Sequence, residues 1–217
     1  MTAPAFESQS DPGAEQPGSE TNFERSFPTG EHCRLTLENA RGRVRITGWD
    51  GSEVQVRATK LHDTSGAARF HATRIEAQQQ GDRVTVRTVL DWDLLLGERG
   101  LWHELAAEGV QALKELLRNN ATPAEVVYDV HVPRQADLDV KGISSEIVVE
   151  DVQGAVHVGS VSGPCTLARV QGNLALSTVS GALAGQELAG RLEAKSVSGS
   201  VKLAGRLDAL ELVSPVT

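Results

Sequence analysis

The sequence predicts an all-β fold, a single-stranded β-solenoid with 18-residue rungs of two nonads, carrying one amphipathic α-helical insertion and a disordered N-terminal tail. Three observations lead there. The corner triplets Ile143-Ser144-Ser145, Val161-Ser162-Gly163, Val179-Ser180-Gly181 and Val197-Ser198-Gly199 recur every 18 residues, with Val152-Gln153-Gly154, Val170-Gln171-Gly172 and Leu188-Ala189-Gly190 midway between them. Each corner is followed by an apolar-x-apolar pair, and period-two alternation puts both apolar side chains on one face of a short strand. Aromatic content is only 4%, which suits a narrow interior filled by Val, Leu, Ile and Ala.

The pairs Ile147/Val149, Val156/Val158, Cys165/Leu167, Leu174/Leu176, Val201/Leu203 and Leu210/Leu212 are the predicted interior. No single coil can bury such a face alone, so neighbouring coils must cover one another. The pattern runs from Arg134 to Ser214, and at ~4.8 Å between hydrogen-bonded strands its four and a half rungs span roughly 20 Å. It falters where Gly185 and Ala194 replace larger side chains and where Leu207 comes one place late after Arg206. Ser144, Ser162, Ser180 and Ser198 form a candidate hydroxyl ladder, and Ser160, Thr178, Ser196 and Ser214 form a second. The two ladders are expected to flank an inward column of Ile143, Val161, Val179 and Val197. Such hydroxyls satisfy corner backbone groups, or offer a flat polar strip to a repetitive ligand such as a polysaccharide.

Upstream of the repeat, residues 1–28 hold Pro4, Pro12, Pro17 and Pro28 among many Ser, Glu and Gln, a composition that predicts a disordered acidic tail. Residues 29–133 continue the strand pattern irregularly, through Leu35-Thr36-Leu37, Val44-Arg45-Ile46, Val54-Gln55-Val56 and Val84-Thr85-Val86. Trp49-Asp50-Gly51 reads as a tight turn. A helical insertion is expected at 94–120, because Leu101, Trp102, Leu105, Ala106, Val110, Leu113, Leu116 and Leu117 recur at helical spacing ahead of Pro123. Its apolar stripe packs on the coil or, through Leu94, Leu95, Leu96, Trp102 and Leu105, forms a candidate partner or self-association surface. Residues 134–217 are the regular repeats.

The charge of −8 and the absence of any Lys/Arg run argue against nucleic acid, whose affinity rests on clustered cations. No signal peptide or integral membrane segment is legible, so a cytoplasmic location is expected. Cys33 and Cys165 read as small buried hydrophobes rather than a disulfide framework. The histidines His32, His62, His71, His103, His131 and His157 are dispersed without metal-ligand spacing. Asp91/Asp93 and Asp137/Asp139 are i, i+2 pairs without a third catalytic group. Gly159-Ser160-Val161-Ser162-Gly163 places Val where a nucleophile elbow needs Ser. Neither an enzyme nor a cofactor or metal is expected.

The segment Gly42-Arg43-Val44-Arg45-Ile46-Thr47-Gly48-Trp49-Asp50-Gly51-Ser52-Glu53-Val54-Gln55-Val56, with Tyr128-Asp129-Val130-His131-Val132-Pro133 and the Val-Ser-Gly corners, resembles the bacterial "putative adhesin" family, a β-solenoid domain of unknown function. The resemblance covers roughly residues 30 to 214. It implies single-stranded β-helix repeats and association with the cell envelope or its stress response, and it carries no catalytic residues. The functional expectation is a non-enzymatic interaction scaffold. A self-assembling structural protein resembling bactofilins is the alternative, since the last nonad has no evident polar cap. A carbohydrate-binding module is a third reading, and it lacks aromatic platforms.

Overall fold

The computed structural model describes residues 21–61, 67–91 and 123–213. The helix expected at 94–120, with its surface Leu94, Leu95, Leu96, Trp102 and Leu105, lies outside the described residues, as do most of the predicted tail and Ser214.

Among the described residues twelve strands and one short helix follow in order: β1 (Asn22–Pro28), β2 (His32–Trp49), β3 (Glu53–Lys60), α1 (Ala67–Ala72), β4 (Thr73–Gln80), β5 (Arg83–Leu90), β6 (Val126–Pro133), β7 (Gln135–Glu150), β8 (Val156–Ser160), β9 (Cys165–Ala168), β10 (Gln171–Thr178), β11 (Leu183–Ser196) and β12 (Val201–Val213). Alternation dictates their faces. In β2, Cys33, Leu35, Leu37, Val44 and Ile46 are buried while Arg34, Arg43 and Arg45 point to solvent. All twelve strands belong to one hydrogen-bonded sheet.

The predicted 18-residue spacing reappears as parallel register. Leu138 lies beside Val156 and Val156 beside Leu174, while Ile147 lies beside Cys165 and Cys165 beside Leu183. The architecture built from it is not the single-stranded solenoid that the sequence suggests. It is a closed barrel of five parallel strands with the other strands outside the ring. The pairings run β7 to β8, β8 to β10, β10 to β11, β11 to β9 and β9 back to β7.

Closure follows from two strands that do not stop at their corners. The first half of β7 pairs with β8 and its second half with β9; β11 pairs with β9 and then with β10. A strand expected to end at every corner has one neighbour on each side along its whole length; strands that run through their corners hold two different neighbours on one edge. The outer strands depart further from a coil. β2 pairs in parallel with β7, β6 and β5, placing Leu35 beside Leu138, while β1, β3 and β4 pair antiparallel with β3, β6 and β5. Spatial neighbours here are far apart in the chain, a relation no repeat count reveals. The tail predicted for 1–28 is also shorter than expected, because Asn22–Pro28 is β1 and its Phe27 is buried.

The interior is one aliphatic cluster from Phe27 to Ala194. Each fully buried Leu, Val or Ile in it contributes ~1.5–3 kcal/mol of transfer free energy. Gly185 leaves no void at its place in the column, because Leu188 and Leu203 reach into the space its side chain would occupy. The ladder between β11 and β12 shifts register on either side of Leu188–Gly190, where Leu207 comes late in sequence. A buried polar knot joins β2, β5, β6 and β7. Asn39 Nδ2 donates to Val126 O (3.0 Å), Thr88 Oγ1 donates to Asn39 Oδ1 (3.0 Å) and meets Tyr128 OH (2.7 Å), and Ser145 Oγ donates to Asn39 O (3.0 Å). Complete satisfaction is what lets such polar groups stay inside.

Candidate functional site: the Val-Ser-Gly corners

Each corner begins with a hydroxyl turned inward. Strand alternation from Val156 and Val158 carries Ser160 to the buried side, and Thr178 and Ser196 occupy the same position one and two repeats later. Ser160 Oγ donates to Gly163 O (2.9 Å) and accepts from Gly163 N (3.0 Å). Ser196 does the same with Gly199, and Thr178 Oγ1 accepts from Gly181 N (2.8 Å). The buried hydroxyl thus closes the turn on itself, and its burial costs little because it is paired. Glycine follows because the corner below lies against it: a Cβ at Gly163, Gly181 or Gly199 would collide with the carbonyl of Ser145, Gly163 or Gly181.

This geometry overturns the inward assignment of the aliphatic corner column. Ile143, Val161, Val179 and Val197 are 53%, 46%, 48% and 59% exposed. The parity of the strand fixes the outcome. With Ser160, Thr178 and Ser196 inward and hydrogen-bonded, the next residue must turn out. Alternation therefore outranks side-chain polarity at this place.

Ser144, Ser162, Ser180 and Ser198 stand beside that column and are exposed. Ser162, Ser180 and Ser198 donate through Oγ to Ile143 O, Val161 O and Val179 O (3.1–3.2 Å), and Ser144 Oγ lies 3.2 Å from Ser162 Oγ. The same three carbonyls accept the backbone N–H of those serines at 2.8, 2.9 and 2.8 Å. Carbonyls hold the hydroxyls of Ser162, Ser180 and Ser198, the hydroxyl of Ser162 meets that of Ser144, and none of these bonds involves an imidazole or a carboxylate. What the corners present is an uncharged strip about 14 Å long, with methyl groups in one rank and oriented hydroxyls in the next, at ~4.8 Å steps.

Of the other sequence candidates, Asp93, His62 and His103 lie outside the described residues, and the fold disperses the rest. Asp137 accepts from Ala155 N and pairs with Arg34, while Asp139 pairs with Lys141. Asp91 pairs with Arg74 at 2.9 Å. His32 lies against Gln135 O, His131 meets the edge of Trp49, and His157 is exposed on β8. Among the described residues no three His, Cys, Asp or Glu side chains are grouped as a metal would need. Cys33 and Cys165 are buried apart from one another, and burial pushes each thiol pKa up to about 11. No helix among the described residues is long and apolar enough to cross a membrane.

One surface feature escaped the sequence reading. Gly159, Ala175 and Ser177 are small outward residues on the central strands β8 and β10, flanked by Asp139 and Lys141 on β7 and by Glu193 and Lys195 on β11. They floor a shallow depression of about 350 Å³. Its signal was the alternation of bulky and small outward residues across neighbouring repeats, visible only once the register was known.

No protein-family profile matches the chain, and no curated protein resembles it significantly. Among solved structures, a "putative cell adhesion protein" from Clostridium sporogenes aligns with 89% of this chain and 100% of its own, at 10% identity and a TM-score of 0.35.

Proposed function

We propose that the chain is a non-enzymatic interaction scaffold that works at the bacterial cell envelope, with the Val-Ser strip as its contact surface. The observation that carries this reading is the outward column Ile143, Val161, Val179 and Val197: four aliphatic side chains about half exposed, evenly spaced on a frame whose polar groups are already paired. Regular apolar exposure on a rigid support is what an interaction surface looks like. Among the described residues no base is hydrogen-bonded to the hydroxyls beside it, which favours contact over catalysis. The envelope setting comes from the resemblance of Gly42–Val56 and the Val-Ser-Gly corners to envelope-associated proteins.

The test is co-sedimentation of the purified chain with isolated envelope fractions, peptidoglycan sacculi and membrane vesicles separately. Wild type pellets with one of them, while V161R/V179R, altered only at exposed positions, stays in the supernatant with an unchanged melting curve. Wild type that pellets with neither, or a variant that pellets equally well, refutes the proposal. Self-assembly is favoured as a second property by a separate observation, the exposure of Leu210 and Leu212 on β12 at 51% and 56%.

A further inference from the structure

The inward columns are sealed as far as β11. Leu174, Leu176, Leu192 and Ala194 are at most 2% exposed, whereas Leu210 and Leu212, one repeat further on, are more than half exposed, and Val201, Leu203 and Leu207 are half-buried. Among the described residues β12 pairs with β11 alone. A ladder edge lined by leucines is a template for another strand. The opposite end of the sheet is guarded differently: Gln79 Nε2 of β4 donates to Pro28 O (2.6 Å), tying its two outer edges β4 and β1 together. A head-to-tail stack would have to open that tie.

We infer that β12 is a self-complementary edge at which a second copy of this chain docks, β12 against β12, in a closed two-fold dimer with Lys202 of each copy facing Glu211 of the other. A strand meeting its own copy across a two-fold axis must run antiparallel. Centring the axis between Arg206 and Leu207 brings Val201 opposite Leu212 and Leu203 opposite Leu210, so the half-covered columns seal each other at the two ends of the strand, on either side of the register shift that follows Leu207. Outward residues then meet outward residues, Lys202 with Glu211, twice in the dimer. An axis centred on Lys202 pairs only residues 201–203 of the strand with its copy, one centred on Glu211 only residues 209–213, and each sets like charges face to face, an arrangement that cross-strand energetics disfavour. Glu211 stands beside Glu193 of β11, which is already paired with Lys195. A cation from the second copy gives Glu211 a partner on its outer side as well. This inference does not use the corner strip and stands or falls separately from the envelope reading.

The experiment is sedimentation velocity over a concentration series with wild type, K202E and E211K, and then with the two variants mixed in equal amounts. Wild type should pass from monomer to dimer with no larger species. Each variant replaces two facing pairs of opposite sign with two of like sign, and should dimerise at least tenfold less tightly, about 1.4 kcal/mol. The mixture should recover dimerisation, because the carboxylate introduced by K202E then faces the ammonium introduced by E211K. Both positions are exposed and melting curves should match wild type. A monomer at all concentrations, an open-ended series of oligomers, a dimer indifferent to both substitutions, or a mixture no tighter than its components overturns the inference. Envelope co-sedimentation of K202E at wild-type levels shows that the two surfaces are distinct.

Discussion

Gly181→Ala isolates the corner geometry on which the strip depends. The φ of Gly181 is not in the left-handed region, so an alanine could adopt its backbone; the obstacle is the corner beneath. A Cβ there would meet Gly163 O and lie 2.9 Å from Gly163 C and 2.8 Å from Thr178 Oγ1. The corner must lift, and lifting it stretches Gly181 N to Thr178 Oγ1 (2.8 Å) and Ser180 N to Val161 O (2.9 Å). Two such bonds are worth about 1 kcal/mol each. Overpacking against main chain that cannot move aside adds ~1–2 kcal/mol. The expected loss is about 3–4 kcal/mol, or roughly 6–15 °C in midpoint for a chain of this size.

Urea unfolding followed by circular dichroism reads this loss, with Ser180→Ala as the companion. Ser180 is exposed, and its Oγ makes a 3.2 Å bond to Val161 O, so its removal should cost only about 0.5 kcal/mol. The contrast between adjacent residues is the discriminating quantity. If Gly181→Ala lies within ~0.5 kcal/mol of wild type, the corners are not stacked as closely as described, and the even spacing of the strip loses its cause.

Asn39→Ala should cost ~2–3 kcal/mol in the same assay, because it leaves Ser145 in place but strips Val126 O and Thr88 Oγ1 of a buried partner; a loss under ~1 kcal/mol contradicts the buried knot. Cys33 and Cys165 should resist a thiol reagent in the folded protein at about pH 8 and react once it unfolds; fast labelling of the native state would contradict their burial. Burial raises both thiol pKa values from 9.0 to about 11, so the folded state holds its protons more tightly than the unfolded chain. Their contribution is therefore whole below about pH 9 and fades between about pH 9 and 11, visible as a falling midpoint that is smaller in C33A/C165A, where the raised phenol of Tyr128 still contributes above about pH 10.

Most inward strand residues were legible because alternation and an 18-residue period are written directly in side-chain polarity: Leu174, Leu176, Val156 and Val158 are buried as expected, whereas Leu210 and Leu212, expected inside with them, are more than half exposed on β12. The corners were not, because polarity and alternation disagree there. Reading Val161 as inward follows its side chain, whereas the chain follows Ser160, whose hydroxyl finds both of its partners in Gly163. Leaving half of a valine in water costs less than leaving a buried serine unpaired. Ring closure was hidden for a different reason. It depends on β7 and β11 continuing through their corners, and the residues there, Gly142–Ser145 and Gln186–Leu188, carry no mark separating a bend in a strand from its end. The partners of β2 were equally unreadable, since Leu35 and Leu138 are joined by register and not by spacing.

Near-identical repeats raise the question of what stops the chain from pairing one repeat out of place, since Val, Leu and Ile fill the inward columns almost interchangeably. The second set of corners answers it. Asp151, Arg169 and Glu187 stand 18 residues apart, all at positive φ (60°, 54° and 52°), a conformation that costs Arg and Glu backbone strain. In correct register Arg169 forks onto Asp151 at 2.8 and 2.9 Å. A slip of one repeat sets Asp151 against Glu187, acid against acid, while the inward aliphatic residues still meet aliphatic neighbours. The hydrophobic columns therefore supply stability without specifying order, and the alternating charges supply order with little stability, because exposed pairs contribute little. Charge is thus concentrated at one set of corners, where it fixes register, and the alternate set, the Val-Ser-Gly corners, is left aliphatic and hydroxylic.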